Sequence, residues 1–141
     1  MKRQGKSPKQ RTLDHLRGSG WLAENVEVFV KPAGMKFGYT KDVCGLADII
    51  SFRPMTINAA GTADRWEMAF VQCCAKSGVA SHKTKADQNA FLRPLLSSGV
   101  RFILVAWWPW NEDDGERRDE FVALEAGRTA QGGIAWLGAG I

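Results

Sequence analysis

The run RFILVAWW at residues 101–108 is the feature that most limits how this chain can fold. Its apolar side chains do not alternate with polar ones, which predicts a central strand that is covered on both faces. A helix is predicted just before it, over residues 83–97, with Pro94 expected to break or kink that helix. A buried strand that is reached through a helix is typical of α/β or α+β proteins, in which helices pack on a mixed sheet.

A hairpin is predicted ahead of this helix. Residues 46–53 and 66–75 both have strand composition, and the turn-rich segment 58–64 between them favours antiparallel pairing. Pro54 confines the chain after the first strand to a sheet edge or a bend. The other expected elements are a helix over residues 12–17, a strand over 26–30, a loop over 31–40, a loop and short helix across the acidic segment 112–125, and an edge strand over 134–137.

Length and composition indicate one globular unit. The chain has 141 residues, of which 45% are hydrophobic, enough for a single domain over residues 11–141. Residues 1–10 are expected to form a disordered basic tail, since residues 1–11 contain five basic side chains and no acid. Such a tail suits a polyanion such as nucleic acid, or it is a solvated terminus, and both interpretations stay open.

Cysteine usage and hydropathy exclude several classes of protein. The three cysteines, Cys44, Cys73 and Cys74, are odd in number and contain no C-x-x-C pair, which argues against a disulfide scaffold or a zinc knuckle. No segment approaches the roughly 18–20 apolar residues of a membrane span, and no signal-type apolar core follows Met1. The sequence therefore predicts a soluble protein of the cytoplasm, or of the host cell cytoplasm if it is viral, with no membrane partner.

Two polar residues in the predicted hairpin mark the candidate site. Asp48 lies in an otherwise apolar strand, where an ionised carboxylate costs several kcal/mol unless it is paired or binds a metal. Gln72 is the polar residue of the second strand, and the hairpin can bring both side chains to one side. Because Mg²⁺ (or Mn²⁺) prefers oxygen ligands, the expected ligands are Asp48, the Gln72 amide oxygen and the backbone carbonyl of Cys73. The alternatives are that Asp48 caps a turn or pairs with Arg53 or Lys41, and that Gln72 only makes strand hydrogen bonds.

Basic residues follow the hairpin. Residues 76–101 contain five basic side chains against Asp87 alone, which fits a nucleic-acid backbone that lies across the site. A solvated helix end is the alternative interpretation. The candidate nucleic-acid contacts are Lys41, Lys76, His82, Lys83, Lys85 and Arg93.

The order of these motifs resembles a known family. This order is similar to that of the PD-(D/E)XK nuclease superfamily. It consists of a helix, a strand, G-x-x-D-I-I at residues 45–50, a hairpin to V-Q-x-C at 71–74, a helix that begins with basic residues, and an apolar strand. The resemblance is closest to the small Holliday-junction-resolvase-like endonucleases of phages and archaea. It covers roughly residues 11–108, and it depends on the order and spacing of motifs that are individually short.

This resemblance implies a fold, an activity and an assembly. The fold would be a restriction-endonuclease-like mixed β-sheet flanked by helices. The activity would be metal-dependent hydrolysis of DNA phosphodiester bonds, including those of branched or junction DNA. Symmetric cleavage of two strands needs two active sites, which implies a homodimer, and residues 108–110 and 134–137 offer apolar surface for its interface.

The sequence departs from the family pattern at the E-x-K motif. Gln72 replaces the acid, a variant that the family uses, and Cys74 stands where the lysine would be. The resemblance then implies that a neighbouring helix supplies the cation, from Lys83 or Lys85, with Lys76 as a third option. The family's acid on the first helix would be Asp14, with Glu24 or Glu27 as fallbacks.

Other functions fit the same residues. A nuclease-like fold that has lost catalysis would bind DNA or a protein partner in a salt-dependent manner and cleave nothing. A structural or assembly protein, in which Asp48 only packs, would bind neither metal nor nucleic acid.

Overall fold

The computed structural model describes residues 5–109 and 120–141. In this part of the chain, no helix is long and apolar enough to cross a membrane. The elements are α1 (Pro8–Gly18), β1 (Leu22–Asn25), β2 (Val28–Val30), β3 (Tyr39–Lys41), β4 (Ile49–Ile57), β5 (Ala63–Ala75), a 3-10 turn (Lys76–Gly78), α2 (Val79–Asp87), α3 (Leu92–Ser97), β6 (Arg101–Trp107), β7 (Phe121–Arg128) and β8 (Ile134–Gly138).

Six strands form one mixed sheet in the order β1-β4-β5-β6-β7-β8. Strands β5 and β6 pair in parallel, and the other neighbours pair antiparallel. The parallel pair needs a crossover, which α2 and α3 supply. The predicted α/β class with a mixed sheet is therefore confirmed, as are the antiparallel hairpin of β4 and β5 and the buried position of β6.

Both faces of the sheet are covered by helices. On one face, Leu13 and Leu16 of α1 pack against Ile49, Val71 and Ile103. On the other face, helices α2 and α3 pack against alternate residues of the same strands, because successive side chains of a strand point to opposite faces. The second core contains Phe70, Phe102, Ala126, Ala86 and Leu92.

The helices differ from the sequence prediction at their ends. Helix α1 begins at Pro8 rather than at residue 12, because Ser7 Oγ accepts a hydrogen bond from Gln10 N (3.2 Å) and proline suits a first helical turn. Residues 8–10 are thus helical and not part of a disordered tail. The predicted helix 83–97 is two helices, and the break falls at residues 88–91 instead of at Pro94. Pro94 lies in the first turn of α3, where its missing N–H is not needed.

Three strand predictions also need correction. The strand expected over residues 26–30 is limited to β2 (Val28–Val30), which pairs with β3 in a separate two-stranded sheet, and β1 (Leu22–Asn25) of the main sheet was not predicted. Residues 39–40, expected in a loop, belong to β3. The short helix expected before Glu125 is wrong for residues 121–125, which begin β7, and residues 110–119 lie outside the described part of the chain.

Pro54 and the last strand behave as predicted. Strand β4 pairs with β1 only as far as Phe52, so Pro54 lies where β4 has a single partner, and the register with β5 shifts just after it. A proline there leaves no ladder hydrogen bond unmade. Strand β8 forms the sheet edge that the sequence predicted over residues 134–137.

A ladder of alternating charges crosses four strands on the face that α1 covers. Arg53 Nη2 lies 2.8 Å from Glu67 Oε2, Arg101 pairs with the other oxygen of Glu67, and Arg101 Nε lies 2.7 Å from Glu125 Oε2. Burial alone would raise the pKa of Glu67, but its hydrogen bonds to Arg101 and Arg53 outweigh burial and lower it. The ladder ties β4, β5, β6 and β7 together by charge-assisted hydrogen bonds.

We predict that Glu67→Gln lowers the free energy of unfolding by about 1–3 kcal/mol at pH 7, because Arg53 and Arg101 lose their shared anion. The folded-state pKa of Glu67 is lowered, so its contribution is present above its ordinary pKa and is lost as the pH falls through the lowered value. Urea unfolding of both proteins from pH 7 to pH 3 should show the difference shrinking with acid. Glu24→Gln is the control, because its pair with Arg17 (3.7 Å) is exposed and worth little; an equal loss in both variants would contradict the prediction.

Candidate functional site

Asp48 lies at the point where the chain enters β4. Its backbone N–H donates to the Val71 carbonyl oxygen (3.2 Å), and its Oδ1 accepts from the backbone N–H of Cys73 (3.2 Å). Since Ile49 is in register with Val71, the next antiparallel position places Asp48 opposite Gln72. The residue is only 5% exposed. The structure thus places the two candidate metal ligands at neighbouring positions of β4 and β5.

Cys73 contributes its backbone and not its thiol. Its side chain is in the core beneath α1, where burial and then the charge of Asp48 raise the pKa of the thiol well above its ordinary value. In an extended strand, the N–H and C=O of one residue point the same way. Because the Cys73 N–H donates to Asp48, the Cys73 carbonyl also points toward the side on which Asp48 lies.

Two further carboxyl groups lie beside Asp48. Val28 of β2 is in register with Lys41 of β3, so Glu27 and Asp42 face each other where this pair of strands begins. Burial, a hydrogen bond from one carboxyl to the other and the charge of Glu27 raise the pKa of Asp42. Lys85 and His82 oppose that rise but do not cancel it.

The pKa of Asp48 is unusually high for an aspartate. Burial is the largest cause that raises its pKa to about 7, and the charges of Asp42 and Glu27 raise it as well. The hydrogen bond from Cys73 only partly opposes these effects. Asp48 therefore lies close to two other acids, whose charges make its own ionisation harder.

Helix α2 covers this region from the other side. His82 and Lys85 line a small pocket together with Gln72. The rest of its lining is Gly45, Leu46, Ala86 and Phe102. Burial and the nearby Lys85 lower the pKa of His82, so its imidazole is neutral at pH 7.

Gln72 connects the pocket to the acids. With its amide oriented so that donors meet acceptors, Nε2 donates to Asp42 Oδ2 (3.2 Å) and to the Leu46 carbonyl oxygen. The amide oxygen then points away from these two acceptors. Gln72 is buried, so these hydrogen bonds hold its amide beside Asp42.

The structure separates the three candidate lysines. Lys85 faces the pocket, whereas Lys83 Nζ lies 5.9 Å from the centre of the Trp136 ring. Lys76 Nζ lies 5.2 Å from the centre of the Trp108 ring. Of the cations that the sequence offered in place of the missing motif lysine, Lys85 is the one that lines the pocket and whose charge acts on Asp42.

Several predicted residues do not join the site. Asp14 is on the outer side of α1, where it accepts hydrogen bonds from Lys6 Nζ (2.7 Å) and Gln10 Nε2 (2.9 Å), and it is not among the acids that act on Asp48. The fallback Glu27 accepts a hydrogen bond from Lys9 Nζ (3.0 Å), and its charge raises the pKa of Asp48, whereas Glu24 pairs with Arg17.

Two further expectations change in the structure. Arg93 Nε donates to the Gly132 carbonyl (3.0 Å) and Nη1 to the Asp87 carbonyl (3.1 Å), so this guanidinium links α2 to the β7–β8 turn. Arg53 belongs to the charge ladder, which excludes the suggested Asp48–Arg53 pair. Lys41 is exposed at the end of β3, next to Asp42.

Asp42 is the site residue that the sequence analysis missed. A tight turn follows it, in which Val43 bridges to Ala47 and both Cys44 (φ 55°) and Gly45 (φ 65°) have left-handed backbones. Asn89 Nδ2 donates to the Cys44 carbonyl (2.9 Å) and so anchors the turn to the end of α2. The signal for Asp42 was its position beside a glycine-containing turn just ahead of Asp48.

The donor set has the chemistry of a magnesium or manganese site. Asp48, Gln72 and the Cys73 carbonyl would supply oxygen ligands, with Asp42 and Glu27 adjacent. In residues 5–109 and 120–141, no three His, Cys, Asp or Glu side chains converge closely enough to form a metal-binding group.

Comparison with protein-family models, with curated proteins and with solved structures finds no match to this chain. The resemblance to PD-(D/E)XK nucleases therefore stays a prediction, and the structure establishes the α/β class with its mixed sheet.

We predict that Asp48→Asn stabilises the metal-free protein at pH 8 by roughly 2–4 kcal/mol, because the amide keeps the acceptor for Cys73 N–H and removes a buried charge. The folded-state pKa of Asp48 is raised, so its contribution to stability is present below its ordinary pKa and is lost as the pH rises toward 7. Urea unfolding in EDTA should show the gain at pH 8 and little gain at pH 4. The control Asp14→Asn removes an exposed acid whose pKa is lowered, so it should not stabilise the protein. If Asp48→Asn does not raise the free energy of unfolding at pH 8, Asp48 does not carry a buried charge at that pH.

Proposed function

We propose that this protein is a divalent-metal-dependent endonuclease that hydrolyses DNA phosphodiester bonds, including those of branched or junction DNA, and acts as a homodimer. The observation that carries the proposal is the environment of Asp48. This buried carboxyl is held by a backbone N–H, and the charged groups that shift its pKa are two other carboxylates, Asp42 and Glu27.

Packing alone does not account for such an arrangement. A buried acid that serves only structure is stabilised by a cation, as Glu67 is by Arg53 and Arg101. At Asp48 the neighbouring acids add to the desolvation cost instead. Groups with strongly shifted pKa values beside a pocket are typical of functional sites, because a ligand of opposite charge recovers the cost.

Each residue of the site has a separate role in phosphodiester hydrolysis. Asp48, the Gln72 amide oxygen and the Cys73 carbonyl would hold Mg²⁺ or Mn²⁺. When bound, such an ion polarises the phosphate and activates water. Lys85 stabilises the extra negative charge that the phosphate carries in the transition state. His82, neutral at pH 7, can accept a proton from the attacking water.

A binding-only function is the second candidate, and Cys74 favours it. Its side chain packs with Leu104 and Ala106 in a small apolar cluster, so β5 delivers no cation to the site. Catalysis then depends on Lys85 alone among the lysines that the sequence analysis considered. A protein in which Lys85 only binds phosphate would retain DNA binding and lack cleavage.

The proposed dimer has a natural surface at the sheet edge. Strand β8 lies at this edge, and Leu137 is exposed on it. Two such edges can pair across a two-fold axis and extend the sheet from one copy into the next. Trp108, the other predicted contact, is partly buried beside Lys76, and Trp110 lies outside the described residues.

Cleavage of labelled linear duplex, single-stranded and four-way-junction DNA with Mn²⁺ or Mg²⁺ tests the enzyme. We expect metal-dependent products that disappear in Asp48→Asn, and a decrease of about 100-fold or more in Lys85→Ala, because one stabilising donor is typically worth that much. Lys83→Ala and Asp14→Asn are matched controls from outside the pocket and should cleave normally. If no substrate is cut while salt-sensitive binding persists, the binding-only function is correct.

Metal binding can be measured without any substrate. We expect millimolar Mn²⁺ or Mg²⁺ to raise the melting temperature of the wild-type protein at pH 8, because a ligand that binds only the folded state stabilises it. The rise should be smaller at pH 5, where Asp48 is protonated, and absent in Asp48→Asn at both pH values. A rise of equal size in Asp48→Asn would show that the ion binds elsewhere.

A further inference from the structure

The pair of strands β2 and β3, with the loop between them, forms a ribbon over residues 28–41 that the main sheet does not cover. Large apolar side chains on it are open to solvent, with Phe29 66% exposed, Phe37 81% and Tyr39 54%. A two-stranded ribbon on its own is only marginally stable in water. A cluster of exposed aromatic side chains of this kind indicates a surface that binds something.

The charge of the ribbon limits what can bind there. Residues 28–41 contain Lys31, Lys36 and Lys41 and no acid. An apolar protein surface or a second copy of the ribbon would bury these lysines without anions, which is costly. Aromatic rings interleaved with cations instead suit single-stranded nucleic acid, because the bases stack on the rings and the phosphates meet the lysines.

The two faces of the ribbon differ. Phe29 is in register with Thr40 and Val30 with Tyr39, so Phe29 and Tyr39 point to opposite faces. Phe29 lies against Gly38, close enough that a Cβ atom on Gly38 would overlap the ring, and it therefore packs on the backbone of the ribbon itself. Tyr39 lies on the other face.

The ribbon also leads directly to the candidate site. Glu27 precedes β2 and Asp42 follows β3, and their carboxyl groups hydrogen-bond to each other at the base of the ribbon. Asp42 in turn accepts from Gln72 (3.2 Å). A strand that lies along the ribbon would thus reach Asp48 without crossing another element of the sheet.

We propose that the ribbon is an arm that binds an unpaired segment of DNA by stacking its bases on Phe37 and Tyr39. This inference rests on the proposed function and narrows it, since the preferred substrate is then DNA with a single-stranded segment and not intact duplex. The lysines hold the backbone, and the base of the arm directs that backbone to the carboxyl groups.

Fluorescence anisotropy with full-length Asp48→Asn in EDTA tests the arm without cleavage. The probes are labelled dT20 and a 20-base-pair duplex, and we expect dT20 to bind more tightly. Phe37→Ala and Tyr39→Ala should each weaken dT20 binding by about 5- to 100-fold, because one stacked base is worth that much. Lys36→Ala should make the plot of log affinity against log salt concentration less steep, by the amount that corresponds to about one phosphate contact. Phe91→Ala, an exposed ring between α2 and α3, should change neither probe's affinity.

Each outcome decides the proposal. Recovery of dT20 binding by Phe37→Trp would support stacking, and circular dichroism of each variant verifies that the fold is intact. Equal affinity for dT20 and duplex, or binding that Phe37→Ala and Tyr39→Ala leave unchanged, would overturn the arm. The arm would also be overturned if sedimentation shows that these variants lose a dimer while they still bind dT20. If the wild-type protein cleaves no DNA but its dT20 binding depends on the arm, the proposed nuclease activity is wrong and the proposed arm stands. If the protein cleaves DNA and the arm variants bind dT20 normally, the nuclease stands and the arm is wrong.

Discussion

The pairing of β5 with β4 on one side and β6 on the other is the constraint on which the rest of this structure depends. Alternate residues of β5 serve the two faces, so that Val71 packs under α1 while Phe70 packs under the crossover helices. The antiparallel partner places Asp48 where its carboxylate takes the Cys73 N–H. The parallel partner requires a crossover, and that crossover brings α2 over the same end of the strand. One strand thus organises both the core and the candidate site.

The acidic residues near the two ends of β5 have opposite electrostatic environments. Near one end, Glu67 alternates with arginines from neighbouring strands, and its pKa is lowered. Near the other end, Asp48 meets Asp42 and Glu27, and its pKa is raised to about 7. The first arrangement stabilises the fold without any ligand. The second costs free energy in the isolated protein, and this cost is the physical argument for a cation at Asp48.

The acids at the base of the β2–β3 ribbon connect the exposed part of the molecule to its buried part. Glu27 and Asp42 mark the two points where the chain leaves and rejoins the main body. Gln72 bonds Asp42 from the sheet, and Asn89 anchors the turn that follows Asp42. Movement of the ribbon would therefore shift the carboxyl groups at its base, because these hydrogen bonds join Asp42 and the turn after it to the main body.

The sequence alone determined the features that depend on local periodicity. The run at residues 101–108 had to be a covered strand, the turn at 58–64 had to close a hairpin, and the hairpin placed Asp48 near Gln72. Only the tertiary structure decided which distant side chains meet them. Lys85 rather than Lys83 lines the pocket and opposes the rise in the pKa of Asp42, and the acids whose charges act on Asp48 are Glu27 and Asp42, not Asp14. The face that a helix turns to a sheet, and the position to which a loop returns, depend on packing between segments far apart in the chain, and periodicity within one segment does not encode that packing.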